Sequence, residues 1–230
     1  MTNRKQRLLL GAIIICHLMM PFSSEGMVFQ SQQTENDIIL ITGFKPFDIY
    51  DVNPSELIAL HFNNTQMQDY TIKGYVLPVD YLLAPEKMKQ LIETFDPVLI
   101  ISLGLDGNKK RIQIETLALN LRINPEKRIP FLTLKKINVT GPYIQFSTFD
   151  ISNILLLLNE NNISVEQSFF AGLYLCNAIL YETLLYQTVI QQSIPTGFIH
   201  VPLLISQHAE GMALEDMITA VHFTIMAHIS

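Results

Sequence analysis

A single cysteine lies where a nucleophile could work. Residues 171–177 combine a glycine-containing turn, Cys176 and the start of a helical pattern. Apolar residues recur at helical spacing over residues 178–192, so Cys176 falls at or next to the first turn of a helix. Unpaired N–H groups and the positive end of the helix dipole there favour the thiolate, which is the reactive form. The alternative is a small buried apolar residue, the commoner role of a lone cysteine.

Two other side chains could complete a catalytic set. His200 lies inside the apolar stretch of residues 197–202, and Glu115 is followed by the apolar residues 117–119. A thiol attacks an amide well only when a base removes its proton, and the base works best when a third group fixes its tautomer. Each residue also has an ordinary interpretation: His200 as a satisfied core histidine and Glu115 as part of a solvated face.

The first 26 residues have the features of a signal peptide. Arg4, Lys5 and Arg7 precede an apolar run over residues 8–20, and small residues follow that run. This is the order of a charged region, an apolar region and a cleavage site. The run is short for a membrane span, although an uncleaved anchor stays open. We therefore expect a secreted or periplasmic protein, with anchoring by an uncleaved leader as the alternative.

The mature chain, residues 27–230, is predicted to be one acidic domain. Removing the leader takes three of 15 basic and one of 21 acidic residues, which leaves a net charge of −8. A chain without a basic stripe is not expected to bind nucleic acid or to associate stably with membranes after leader removal. The mature chain has one cysteine and so no internal disulfide. No histidine spacing, glycine-rich nucleotide loop or Walker loop predicts a metal or a cofactor.

Strand-like and helix-like segments alternate along the mature chain. Strand patterns cover residues 37–42, 71–79, 98–103 and 197–202, with a weaker one at 116–121, and helical patterns cover 55–62, 84–95, 151–159, 178–192 and 214–228. Residues 122–146 show no clear pattern. The alternation predicts an α/β fold, a single three-layer α/β/α sandwich on a mostly parallel, mixed sheet. In such sheets the site lies beyond the strand carboxyl ends, which here are the loops 43–47 and 104–115 and the end of the His200 strand.

Four motifs occur in a fixed order along the chain. They are a Gly-Phe-Lys-Pro-Phe segment from Gly43 followed by Asn53-Pro54, a glycine loop from Gly104 with Glu115 downstream, the cysteine segment 171–177 and the histidine segment 197–202. Together they resemble the pyroglutamyl-peptidase I family of cysteine peptidases, over nearly all of the mature chain.

The resemblance implies a function and a set of site residues. Cys176 would be the nucleophile, His200 the general base and Glu115 the residue that orients the imidazole. The substrates would be peptides with an N-terminal pyroglutamate (5-oxoproline), which the enzyme would remove through a thioester; a homo-oligomer stays open. Substrate-binding positions would be Phe44, Phe47, Asn53, Tyr174, Leu175 and Arg128.

Several positions depart from the family's pattern. These are Leu105, Asn108, Lys109, Phe131 and Ala178. They leave the three catalytic positions intact but change the surroundings of the substrate. Two alternatives therefore stay open: a divergent cysteine amidase with a different N-acyl specificity, and a weakly active or inactive binding homologue.

Overall fold

The structure is a computed structural model that describes residues 37–123 and 134–229. The strands in this part of the chain are β1 (Asp37–Phe44), β2 (Gln66–Met67), β3 (Tyr70–Leu77), β4 (Leu99–Leu105), β5 (Ile112–Glu115), β6 (Leu117–Leu119), β7 (Arg122–Ile123), β8 (Leu134–Lys135), β9 (Ile144–Phe146), β10 (Val165–Ser168) and β11 (Thr196–Val201). The helices are α1 (Pro54–Phe62), α2 (Leu83–Phe95), α3 (Ile151–Glu160), α4 (Leu175–Val189) and α5 (Leu214–Ile229).

Seven strands form one central sheet in the order β10-β5-β11-β4-β1-β3-β2. The pairs β1–β3, β1–β4, β4–β11 and β5–β10 are parallel, whereas β5–β11 and β2–β3 are antiparallel. The predicted mostly parallel, mixed sheet is therefore confirmed. The antiparallel β5–β11 pair matters most for function, because it sets Glu115 beside the strand that carries His200.

Helices cover both faces of the sheet, as buried parallel strands require. On one face, α1, α3 and α5 pack against residues such as Ile39, Ile101 and Ile199. On the other face, α2 and α4 pack against residues such as Leu40, Ile100 and Phe198. Every residue of β4 is buried, which accounts for its largely apolar sequence, and the hydroxyl of its one polar residue, Ser102, accepts a hydrogen bond from Thr42. The three-layer sandwich is confirmed.

The sequence prediction was wrong in the middle of the chain. Residues 112–115 were assigned to a loop but form β5, so Glu115 ends a buried strand. Gln113 and Glu115 break the apolar pattern that would have revealed this strand. The predicted strand over residues 116–121 is only the short β6, which pairs with β9 outside the main sheet. Helix α4 begins three residues before its predicted start, at Leu175.

Some predictions concern residues outside the described part of the chain. These are the signal peptide over residues 1–26 and the assignments of Arg128 and Phe131. Within residues 37–123 and 134–229, no helix combines the length and apolar character needed to cross a bilayer.

Candidate active site

Cys176 is the second residue of α4, as its position in the sequence predicts. The chain turns at Gly172, whose φ of 81° suits glycine, and enters the helix through Tyr174. Tyr174 occupies the N-cap position but its side chain makes no capping hydrogen bond. The first N–H groups of α4 therefore have no side-chain cap and can serve another acceptor beside the thiol.

Gly104 makes room for the sulfur. A β-carbon on Gly104 would lie 2.9 Å from the Sγ of Cys176 and 2.7 Å from Cζ of Phe198. Gly104 is also the direct partner of His200 in the β4–β11 pairing. The missing side chain on β4 therefore opens a space in which the thiol of α4 can approach the imidazole on β11.

His200 and Glu115 form a buried pair. The Nδ1 of His200 lies 2.7 Å from Oε1 of Glu115, and the exposed fractions of the two residues are 6% and 0%. Glu115 pairs with Phe198 across the antiparallel β5–β11 ladder, so its side chain reaches His200 diagonally. This hydrogen bond orients the ring and leaves Nε2 for the thiol of Cys176, which is close enough to raise the pKa of the imidazole.

The imidazole is held in its charged form. Burial alone lowers the pKa of His200, but the charge and hydrogen bond of Cys176, together with those of Glu115, outweigh burial and raise this pKa from 6.5 to about 10. An imidazolium between a sulfur and a carboxylate is the arrangement that stabilises a thiolate at neutral pH. The second oxygen of Glu115, Oε2, is buried without a hydrogen-bond partner among the described residues.

The opening motif contributes one half-buried aromatic ring and one buried one. Phe44 is 3% exposed and packs in the core beneath α4, with Leu175 and Phe198. Phe47 is half-buried and packs edge-on against Tyr50 at a ring distance of 5.8 Å. Of the two predicted ring-binding residues, only Phe47 offers substantial surface to a ligand.

Asn53 is a buried helix cap. Its Oδ1 accepts hydrogen bonds from the N–H and the hydroxyl of Ser55, at 3.0 and 2.8 Å, and its Nδ2 donates to the carbonyl of Lys45 at 3.1 Å. Its side chain is fully buried. We predicted a substrate contact for Asn53, but these bonds indicate that it positions the loop that carries Phe47.

Tyr174 and Leu175 directly precede the nucleophile in the chain, and their contact with the substrate stays a prediction. Tyr174 is 64% exposed and available to a ligand, whereas Leu175 is largely buried in the core. The residues that depart from the family pattern also include both buried positions and a turn position. Leu105 and Ala178 are buried apolar residues, and Asn108 lies in a turn in which Asp106 accepts a hydrogen bond from its backbone N–H.

Sequence reasoning missed two residues near the nucleophile. Asn177 is fully buried, and its side chain forms three hydrogen bonds to the backbone of Leu119 and Leu121. Arg122 stacks on Tyr81 beside the nucleophile segment. The position of Asn177 directly after the cysteine was a usable signal. Nothing in the sequence predicts the contact of Arg122 with Tyr81, since 41 positions separate them.

A sulfur at a helix N-terminus, a charged imidazole and a buried carboxylate on a three-layer α/β sandwich define a site of the cysteine-hydrolase class. Within residues 37–123 and 134–229, no cluster of histidine, cysteine and acidic side chains could hold a metal ion.

Comparison with known proteins identifies the family. The sequence profile of the family described as Pyroglutamyl peptidase matches residues 37–230. The pyrrolidone-carboxylate peptidase of Halalkalibacterium halodurans is 32% identical over 196 residues, which cover 82% of this chain and 98% of that protein. The corresponding protein of Pyrococcus furiosus is 36% identical over 174 residues, which cover 74% of this chain and 82% of that protein.

A solved structure agrees with the sequence comparison. The pyrrolidone carboxyl peptidase from Thermococcus litoralis superposes with a TM-score of 0.78 at 30% identity, and the match covers 83% of this chain and 92% of that one. The chain therefore belongs to the pyroglutamyl peptidase family, and the resemblance predicted from its four motifs is confirmed.

Proposed function

We propose that this protein is a cysteine-type pyroglutamyl peptidase, which removes an N-terminal 5-oxoproline from peptides. The observation that carries the proposal is the contact of His200 with both Glu115 and Cys176 in a chain of this family. The relatives named above are pyrrolidone-carboxylate peptidases. The resemblance implies that Cys176, His200 and Glu115 carry the same chemistry here.

The reaction proceeds through an acyl-enzyme. The thiolate of Cys176 attacks the carbonyl carbon of 5-oxoproline, and the N–H groups at the start of α4 stabilise the resulting oxyanion. His200 gives its proton to the departing amine as the C–N bond breaks, which leaves a thioester. A water molecule then gives a proton to His200 and attacks the thioester. The C–S bond then breaks and 5-oxoproline leaves with the oxygen taken from water. The thiolate of Cys176 is restored beside His200, which keeps the proton that it took from water.

The lactam ring is flat and uncharged, so its recognition requires aromatic surface and a few hydrogen bonds. The half-buried ring of Phe47 and the exposed ring of Tyr174 supply that surface. Phe44 and Leu175 form the apolar base of the slot from the core. Arg128 remains a proposed substrate contact on the basis of the resemblance alone.

One pair of variants tests the proposal. Wild-type protein should release a fluorophore from a pyroglutamyl amide, and Cys176→Ala should not. Thr183→Val is the matched control, because Thr183 lies two turns along the same helix, is buried, and its hydroxyl has no hydrogen-bond partner among the described residues. It should retain full activity. Turnover by Cys176→Ala would refute the proposal.

A further measurement distinguishes the alternatives. If the pyroglutamyl amide stays intact while iodoacetamide labels Cys176 rapidly at neutral pH, the thiol is activated but the preferred acyl group differs. That outcome would favour the divergent amidase, and the buried Leu105 in place of the family's polar residue would be the first position to examine. An intact substrate together with slow labelling would favour the binding homologue.

We also propose that residues 1–26 export the enzyme to the cell exterior or the periplasm. The support is the order of basic, apolar and small residues in the sequence. Residues 1–30 fused to a phosphatase that is active only after export should give an active reporter. Release of the reporter in soluble form indicates cleavage, whereas an active reporter retained in the membrane indicates an uncleaved anchor.

A further inference from the structure

Arg122 is fixed beside the nucleophile by backbone and side-chain contacts. The N–H of Ile123 donates to the carbonyl of Leu173 at 2.9 Å, which ties β7 to the segment that leads into α4. The guanidinium of Arg122 lies over the ring of Tyr81, with its central carbon 4.7 Å from the ring centroid. A planar cation stacked on an aromatic face is held in one orientation with its N–H donors free at the edge.

Tyr81 lies near both the guanidinium of Arg122 and the thiol of Cys176. Tyr81 and Cys176 pack against the same core cluster beneath α4. Burial raises the pKa of the Tyr81 hydroxyl, Arg122 opposes this shift, and the charges of Cys176 and Tyr174 add to it. The four side chains are therefore within electrostatic range of one another, with Arg122 at the partly exposed rim.

Within the described residues, Arg122 has no carboxylate partner of its own. None of the ion pairs found among residues 37–123 and 134–229 includes Arg122. The nearby Glu182 lies 3.6 Å from Lys89, and both Lys89 and Arg122 counteract the rise that burial causes in the pKa of Glu182. Lys89 is the ion-pair partner of Glu182, and Arg122 acts on this carboxylate only through its charge.

A pyroglutamyl peptide has an anionic group to offer only on one side of the scissile bond. The lactam is uncharged, whereas the leaving peptide carries a terminal carboxylate and acidic side chains. We propose that Arg122 is a specificity-determining residue, which binds a carboxylate of the leaving peptide next to the scissile bond. This inference rests on the proposed peptidase function and adds a preference within it.

Three substrates show whether Arg122 binds the terminal carboxylate of the leaving peptide or a carboxylate on a side chain. They are pyroglutamyl-alanine amide, which is neutral, pyroglutamyl-alanine with a free terminal carboxylate, and pyroglutamyl-glutamate α-amide, whose carboxylate is on the side chain. We expect kcat/KM for at least one acidic substrate to exceed that of the neutral one by roughly fivefold, mainly through KM, as a partly exposed ion pair allows. The acidic substrate that is preferred identifies the carboxylate, and added salt should reduce the preference.

Variants assign the preference to Arg122. In Arg122→Gln the ratio of acidic to neutral kcat/KM should fall towards one, and Arg122→Lys should keep part of it. Lys73→Gln is the matched control, since Lys73 also lies over an aromatic ring, that of Phe95 at the end of α2. It should leave the ratio unchanged. Because each ratio is measured within one preparation, partial unfolding of a variant cancels.

Three outcomes would overturn the inference. They are a wild-type ratio near one, a ratio that survives in Arg122→Gln, and an equal loss of kcat on neutral and acidic substrates in Arg122→Gln. The last would mean that Arg122 acts on the reacting carbonyl. In each case, hydrolysis of the neutral substrate by wild-type protein but not by Cys176→Ala would leave the proposed function intact.

Discussion

Gly104 and Cys176 lie so close that a β-carbon on the glycine would be 2.9 Å from the sulfur. In Gly104→Ala the sulfur must therefore move away from His200 or the strand must shift. A misplacement of the reacting atom by about 1 Å can lower a rate roughly a hundredfold. We expect a loss of that order in kcat for the pyroglutamyl amide, with slower labelling of Cys176 by iodoacetamide.

Gly141→Ala is the control for this prediction. A β-carbon on Gly141 would lie 2.3 Å from the hydroxyl of Tyr181, which donates a hydrogen bond to Pro142. This variant should lose thermal stability but keep the rate per folded molecule. If both variants lose stability and neither loses labelling rate, Gly104 is a packing residue only.

The raised pKa of His200 predicts a specific dependence on pH. The charged imidazole is stabilised in the folded protein, where this pKa is about 10 rather than 6.5. Its contribution to stability is therefore complete below pH 6.5 and is lost as the pH rises through 10. Replacing the sulfur in Cys176→Ser should lower the His200 pKa and move this loss to lower pH.

Two measurements check the pH prediction. The ring signals of His200 in NMR spectra report its titration, and the thermal midpoint of unfolding measured against pH reports its effect on stability. Identical titration of His200 in wild-type protein and in Cys176→Ser would show that the sulfur does not stabilise the imidazolium.

Glu115 is predicted to act through the orientation and charge of the imidazole. In Glu115→Gln the amide can donate to Nδ1, which leaves the proton on Nε2, where the imidazole can no longer accept the thiol proton. The corresponding change in the serine-protease triad lowers kcat roughly ten-thousandfold. We expect a loss of at least about a hundredfold here, because charge-assisted hydrogen bonds to buried groups are strong.

The same substitution one strand away serves as a control. Glu166 on β10 accepts a hydrogen bond from Gln113 at 2.6 Å and is partly exposed. Glu166→Gln should therefore retain the wild-type rate. If kcat fell equally in Glu115→Gln and Glu166→Gln, the loss would come from a disturbed sheet edge and not from the orientation of the imidazole.

The sequence predicted the residues of the candidate site better than the strand and the side chains that hold them in place. Cys176 was recognisable because a helical pattern starts beside it, and His200 because an imidazole interrupts an apolar strand. Strand β5 was missed because Gln113 and Glu115 interrupt its apolar pattern. The stacking of Arg122 on Tyr81 joins distant side chains through tertiary packing, which hydrophobic periodicity does not encode. The cap formed by Asn53 is local, since it joins Asn53 to Ser55, and an asparagine directly before a first-turn proline was a usable signal.

Asn177 is predicted to hold the nucleophile helix in place. Its Oδ1 accepts from the N–H of Leu119 at 2.7 Å, and its Nδ2 donates to the carbonyls of Leu119 and Leu121, each at 2.9 Å. Asn177→Ala leaves these partly buried backbone groups without the Asn177 partner, at a cost of about 3 kcal/mol in the free energy of unfolding. Because Cys176 precedes it directly, we also expect lower kcat per folded molecule.

Asn120 offers a matched comparison, since it too is buried and forms three hydrogen bonds, to Asn138 and Gly141. Those bonds hold a loop that contains none of the proposed catalytic residues. Asn120→Ala should therefore destabilise the protein to a similar extent, as denaturant unfolding would show, but keep its rate per folded molecule.

Asn177→Asp retains the acceptor and loses both donors, so its stability should fall between wild-type protein and Asn177→Ala. Equal kcat values in Asn177→Ala and Asn120→Ala would mean that the Asn177 bonds stabilise the fold without positioning the thiol.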